Sequence, residues 1–310
     1  MRGLIARKVL GALFAALGAT LLVSLFLHLV PGDPVSLLLG EQAQEVDVAA
    51  LRRSMWLDRP VVEQAWLFLR DFSTGELRSS LPPFQERVLP RLWRDAPRTA
   101  EIGGLALLWA LLLSLPLGLL SAVRAGRPID RLAMALAVVG VSAPSFLIGH
   151  ALVLIFGLRL GWLPISGDDS WGSAFLPSLT LGLGLSALLS RVTRAAVLDV
   201  LREDYVLAAR SRGLSEARVL WGHAFRNALL PILTVFGLQI GGVLTGAIIV
   251  EKVFDWPGLG TLLLTSIERR DYNSVRACVL VFTLVYLAVN LATDLAYLAA
   301  DPRARSVRRP

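Results

Sequence analysis

Apolar residues in this chain come in long unbroken runs, not in the alternation of a half-buried strand or the one-sided stripe of a surface helix. Runs at 9–30, 102–123, 132–158, 175–189, 229–250 and 277–300 approach or exceed the roughly 20 residues that a helix needs to cross a bilayer. The fourth is glycine-rich and meets Arg191 and Arg194 early, yet no charge falls between Leu176 and Leu189. The pattern predicts an all-α polytopic membrane protein with about six spanning helices. The first run follows Arg2, Arg7 and Lys8, as a secretory signal would. Its 22 residues exceed the usual signal core and no A-x-A site follows, so a retained anchor is expected.

The polar stretches between the runs are unequal. Most are short, but 31–101 and 191–228 are too long to be turns. The first opens with Pro31-Gly32-Asp33-Pro34, which ends a helix sharply, and continues with amphipathic pieces at 48–55 and 61–72. A small helical cap is expected there. In the second, Asp204 reads as an N-cap, 205–212 as a short helix, Gly213 as its C-cap position, and Ser215-Glu216 as the start of another helix. This is a helix-turn-helix with two small residues, Ala208 and Ala209, beside the bend and Arg210, Arg212, Arg218 and Arg226 around it. Basic amphipathic segments suit lipid headgroups; the small residues and the glycine turn favour a protein partner with a narrow groove.

Charge orients the helices, because Lys and Arg in short loops stay on the cytoplasmic side. The N-terminus, 124–131, 191–228 and 301–310 together hold 17 basic against 6 acidic residues, whereas 31–101, 159–174 and 251–276 hold 14 against 17. Both termini are therefore expected to be cytoplasmic, and 31–101 to be extracytoplasmic. The formal net charge of +7 is a topology signal and gives no support to nucleic-acid binding, which gathers basic residues into one patch. With 55% hydrophobic and 18% charged residues and a mean hydropathy of +0.63, a soluble globular protein is excluded on composition as well.

Chemistry of the chain's own is not visible. The only lysines, Lys8 and Lys252, lie outside any GxxxxGK[ST] loop, so ATP binding by that route is excluded. Cys278 is the single cysteine, and His28, His150 and His223 are far apart in sequence, so no metal site is expected. Asp168-Asp169 reads as a turn, and no nucleophile elbow is present. Asp294, inside the last run, is close enough to the cytoplasmic end to pair with an arginine, although membrane carboxylates also mark ion pathways. Gly237, Gly241, Gly242 and Gly246 give interleaved GxxxG spacings that permit close helix packing against a neighbour in this chain or another.

The stretch Asp204-Tyr205-Val206-Leu207-Ala208-Ala209-Arg210-Ser211-Arg212-Gly213-Leu214, followed by His223-Ala224-Phe225-Arg226-Asn227-Ala228-Leu229-Leu230-Pro231, resembles the EAA loop of ABC importer permeases. Ala208, Ala209 and Gly213 fit the motif, Leu207 stands where it has Glu, and Phe225-Arg226 stands where Leu-Pro is usual. These departures resemble the dipeptide, oligopeptide and nickel branch. Further similarities to that branch run in order along the chain: Leu-Val-Pro-Gly-Asp-Pro at 29–34, Leu57-Asp58-Arg59-Pro60, Arg159-Leu160-Gly161-Trp162-Leu163-Pro164, Phe254-Asp255-Trp256-Pro257-Gly258-Leu259-Gly260, Arg270-Asp271-Tyr272 and Asp301-Pro302-Arg303.

The resemblance implies a type I importer-like permease in a bacterial-type cytoplasmic membrane, organised as an anchor (1–30), an extracytoplasmic cap (31–101) and a core of five spanning helices (102–310) with a coupling loop at 198–228. It implies that Asp204, Tyr205, Ala208, Ala209, Arg210, Arg212, Gly213, Leu214, Arg218 and Arg226 meet an ATPase subunit. The implied partners are a second permease, one or two ABC ATPases that carry the ATP and magnesium, a substrate-binding protein docking on the cap and near Trp256-Pro257-Gly258, and membrane lipid. Dipeptides or oligopeptides are the implied cargo, with nickel or another small solute as the alternative. An ion-coupled secondary transporter built around Asp294, or a membrane scaffold, would not account for the helix-turn-helix.

Overall fold

A computed structural model describes residues 2–29, 35, 45–81, 86–170 and 172–300. Among them helices are the regular elements, joined by turns and loops such as 160–170, with one isolated antiparallel bridge between Arg78 and Arg87. In chain order the helices are α1 (Arg2–Leu29), α2 (Glu45–Ser54), α3 (Val61–Thr74), α4 (Val88–Val123), α5 (Pro128–Ser142), α6 (Ser145–Leu152), α7 (Phe175–Leu201), α8 (Asp204–Ser211), α9 (Glu216–Val219), α10 (Phe225–Val253), α11 (Leu259–Glu268) and α12 (Tyr272–Ala300). Two π-helical segments interrupt this series: Val153–Arg159 continues α6, and Leu220–Ala224 joins α9 to α10. The motifs at 30–34 and 301–303 and the side chain of Asp294 lie outside the described residues.

The runs at 102–123, 175–189, 229–250 and 277–300 fall in α4, α7, α10 and α12, all long and apolar enough to cross a bilayer. The run at 9–30 falls in α1, whose described apolar stretch is Phe14–Leu25. The run at 132–158 is not the single straight span its composition suggests: Pro128–Ser142 and Ser145–Arg159 meet at 109°. Proline explains the break. Pro144 has no N–H to give the preceding turn and its ring pushes the residue before it out of the helical region, and Ala143 accordingly adopts φ −77°, ψ 126°. The pair counts as one bent span at most, giving up to five apolar spans.

The chain divides into two compact units. One comprises Met1–Thr99 and Pro257–Ala288. Its core gathers Phe68, Leu77, Val88, Leu92, Leu259, Leu262, Ala277, Cys278 and Leu280. A buried polar hub fastens it: the Asp271 carboxylate accepts hydrogen bonds from Ser79 Oγ (2.7 Å), the Ser80 N–H (2.8 Å) and Ser274 Oγ (2.6 Å). Asn273 Nδ2 donates to the Arg78 carbonyl at 3.0 Å, and the Leu259 N–H donates to Thr99 Oγ1 at 2.8 Å.

The other unit comprises Ala100–Trp256 and Val289–Pro310. Here α7 is the axis, and small residues let its neighbours approach. A side-chain carbon added at Gly118 of α4 would lie 2.5 Å from Thr193 Cβ and 2.8 Å from the Ser190 carbonyl oxygen. One added at Gly140 of α5 would lie 2.9 Å from Ala187 Cβ. The GxxxG residues of α10 find partners within the chain, Gly237 against Thr293 of α12 and Gly246 against Leu181 of α7, while Gly242 faces open space. Trp256 is fully buried with Phe254, Ile102, Leu176 and Val250, so its ring is no docking surface; the exposed residue of that loop is Asp255, held at φ +49°.

Candidate functional site

The segment between α7 and α10 folds as the expected helix-turn-helix, with shifted edges. Helix α7 runs on to Leu201, so Arg191 and Arg194 are helical and only Arg202 and Glu203 separate α7 from α8. Glu203, extended at φ −70° and ψ 145°, occupies the N-cap position, and its carbonyl accepts from the N–H groups of Val206 and Leu207. Asp204 is therefore one residue too late to be the cap expected of it. Its carboxylate stands instead in the first turn, where it opposes the positive end of the helix dipole.

Gly213 ends α8. It sits at φ +81°, a left-handed conformation that puts a β-carbon against the following carbonyl, and its N–H reaches the Arg210 carbonyl at 2.9 Å. The chain then re-enters helix through Ser215, extended at φ −64° and ψ 147°, with no side-chain bond of its own. Across this turn Arg210 grips Glu216 with two bonds, Nε to Oε1 at 2.9 Å and Nη2 to Oε2 at 3.1 Å. Beneath it Val206, Ala209 and Val219 form a small closed core, lined by Val200, Leu201 and Leu214.

These contacts sort the ten expected partner-facing residues. Asp204, Tyr205, Ala208, Arg212, Gly213, Arg218 and Arg226 are exposed, and Leu214 is half-buried. Ala209 is fully buried and serves the loop's own core, so it does not present itself to a partner; its small size lets α8 close on Val219. Arg210 is spent on Glu216 and is likewise not a free cation. Arg212 Nε donates to the Ala208 carbonyl at 3.2 Å, while Arg218 and Arg226 make no ion pair with a described residue. The available face thus includes Asp204 and Tyr205, one small residue, Ala208, the glycine turn, and the cations Arg212, Arg218 and Arg226.

Two polar ties escaped the sequence reading. Asn227, at the start of α10, donates through Nδ2 to Tyr205 Oη at 2.6 Å and to the His223 carbonyl at 3.2 Å. Arg194 of α7 holds Asp130 of α5 with two bonds of 2.6 and 2.8 Å, and the same carboxylate accepts from the Gly126 N–H at 2.8 Å. Asp130 is buried, so the turn at 124–127 is fastened to α7 just before the helix-turn-helix begins. The lone acid of 124–131 and an arginine just past the end of an apolar run were the available signal.

The described residues thus form a polytopic helical protein with a braced, cationic helix-turn-helix between two helices apolar enough to cross a membrane. Residues 114–306 match the family described as binding-protein-dependent transport system inner membrane component, and residues 1–85 match the N-terminal part described for such membrane components. The chain belongs to this family: it is a multi-pass permease subunit of an ABC importer in the inner membrane, not an enzyme, and ATP hydrolysis resides in separate subunits. It is 43% identical over 307 residues to a glutathione transport system permease protein of Pectobacterium atrosepticum, covering 96% of this chain and 97% of that one. Similar proteins of the same description in Salmonella typhimurium and Escherichia coli K12 are 41% and 39% identical over 312 residues, covering 98% of this chain and 99% of theirs. Among solved structures, the MetNI methionine ABC transporter in inward-facing conformations shares the fold with a TM-score of 0.59 at 15% identity, over 68% of this chain and 96% of that one. An amino acid ABC transporter does so with a TM-score of 0.54 at 18% identity, over 67% and 94%.

Proposed function

We propose that this chain forms half of the translocation pathway of an ATP-driven importer of short peptides, with glutathione-like tripeptides the first candidates. The cargo rests on the description shared by relatives about 40% identical over nearly the whole chain. A second, related permease completes the pathway, and a substrate-binding protein delivers the cargo to the extracytoplasmic face that carries 31–101. Both termini and the loop at 198–228 are cytoplasmic. There α8 is the coupling helix: it seats in a cleft of the ATPase, Ala208 and Gly213 keep its surface low enough to enter, and Arg212, Arg218 and Arg226 supply cations to the rim. Closure of the ATPases on ATP moves α8, and the spanning helices rock between outward and inward access. The observation that supports this reading is the turn at Gly213, bridged by Arg210 and Glu216, which presents the exposed cations Arg212, Arg218 and Arg226 between two long apolar helices.

The test has two parts. Tagged at its C-terminus and extracted in mild detergent, the chain is expected to co-purify with a second permease and nucleotide-binding subunits. The complex, reconstituted with its binding protein, is then expected to accumulate labelled glutathione or tripeptides only when ATP is supplied. Accumulation of nickel in place of peptide would move the cargo; recovery of the chain without ATPases would remove the coupling role.

A further inference from the structure

Between the turn at Gly213 and the spanning helix α10 the chain does not run as a uniform α-helix. Leu220–Ala224 winds as a π-helix, and the Phe225 N–H reaches five residues back to the Leu220 carbonyl. A π-turn carries one residue more than the α-helix around it, with poorer packing along its axis, and is a place where a helix changes register or bends cheaply. A force applied to α8 would be absorbed at such a joint unless something bridges it.

One side chain does. Asn227 lies in the first turn of α10, and its amide donates both to the His223 carbonyl inside the π-turn and to the Tyr205 hydroxyl in the first turn of α8. The carbonyl acceptor fixes which end of the amide is nitrogen, so Tyr205 Oη is the acceptor of the 2.6 Å bond. The other described supports of α8 run to α9 and to the end of α7: Arg210 reaches Glu216 of α9, and Val206 and Ala209 pack on Val219 of α9 beside Val200 and Leu201 of α7. The Tyr205–Asn227 bond spans 22 positions and joins α8 to α10 past the joint.

We propose that Tyr205 and Asn227 are positioning residues that lock the π-turn, so that displacement of α8 passes to α10 instead of being lost at 220–224. This rests on the coupling role of α8, and the experiment separates the two. Spin labels are placed at Leu207→Cys on α8 and Leu233→Cys on α10, both exposed, in the assembled complex with Cys278 replaced by Ser, and their separation is measured without nucleotide and with ATP trapped by vanadate. In the parent complex the separation is expected to be the same in both states, because the two helices move as one body. In the Asn227→Leu variant it is expected to change by several ångströms on trapping, and the ATP hydrolysed per glutathione imported is expected to rise roughly two- to tenfold, the range set by one hydrogen bond. Tyr205→Phe, which keeps the ring, is expected to give the same change, and the double variant no more than either alone.

An unchanged separation in both variants, or a change of equal size in the parent, overturns the lock. Cross-linking from Ala208→Cys to the ATPase checks the underlying reading: its absence in the parent overturns the coupling role and the lock with it, whereas cross-linking with label separations unaffected by the variants overturns the lock alone.

Discussion

Gly213 is the residue on which the loop turns. At φ +81° any other L-residue is strained, and a carboxylate there would also crowd the carbonyls at the end of α8. Gly213→Asp is expected to abolish ATP-dependent uptake while membrane insertion and protein level stay near those of the parent, as read by cargo accumulation beside an immunoblot of the membrane fraction. The Asp130–Arg194 pair acts differently, because its carboxylate is buried while the guanidinium stays 26% exposed. Removing the arginine leaves a buried carboxylate without its main partner, and losses of about 1–3 kcal/mol are typical of such groups. Arg194→Ala is expected to lower the unfolding temperature of the purified complex markedly, and Asp130→Ala with Arg194→Ala to lower it less than the two single effects combined. Residue-level chemistry was only partly legible beforehand. Gly213 announced itself because only glycine suits a left-handed turn, but the burial of Ala209 and the engagement of Arg210 by Glu216 depend on how α8 leans on α9, which no local pattern encodes.

At the scale of elements, the apolar runs revealed most helices but not their ends or angles. Helix α7 continues to Leu201, beyond the apolar stretch, because Arg191 and Arg194 are good helix formers and Arg194 has Asp130 to meet. The broken pair α5 and α6 looked continuous in hydropathy, since a proline at 144 changes direction without changing polarity. What the runs could not express is how closely the helices approach. Gly118 of α4 allows contact with Thr193 and the Ser190 carbonyl, and the latter, as backbone, has little freedom to retreat. Gly118→Leu is expected to separate α4 from α7 and reduce the recovery of folded protein in detergent by severalfold, measured by size-exclusion chromatography; Gly104→Leu, where the added carbon meets nothing within 4 Å, is the matched control and is expected to be tolerated.

For the whole molecule, polarity along the chain is the organising fact. The stretches that alternate with 31–101, 159–174 and 251–276 hold 17 basic against 6 acidic residues within a chain of net charge +7, and the helices between them contain little charge. The same sequence lacks a phosphate-binding loop, so the chain purified by itself is expected to hydrolyse no ATP above background and to do so only after its nucleotide-binding partners are added, which a phosphate-release assay checks. Family membership was legible because short motifs recurred in the right order over the length of the chain, whereas the cargo was not, since no residue here reads as a specificity determinant on its own.

Helix α4 spans 36 residues, but its apolar part begins at Ile102, after Arg91, Arg94, Asp95, Arg98 and Glu101. Its first 14 residues, Val88 to Glu101, therefore stand clear of the hydrocarbon by about 21 Å at ~1.5 Å per residue when the helix is upright. That length acts as a mooring post. A delivery protein that reaches the post's tip, five residues beyond Trp93, does so at a distance from lipid comparable to the radius of a small protein. Were that protein held to the same membrane by a lipid chain, its tether would need about six extended residues at ~3.5 Å each to span the gap, so shortening such a tether below this length should impair delivery while leaving cargo capture intact.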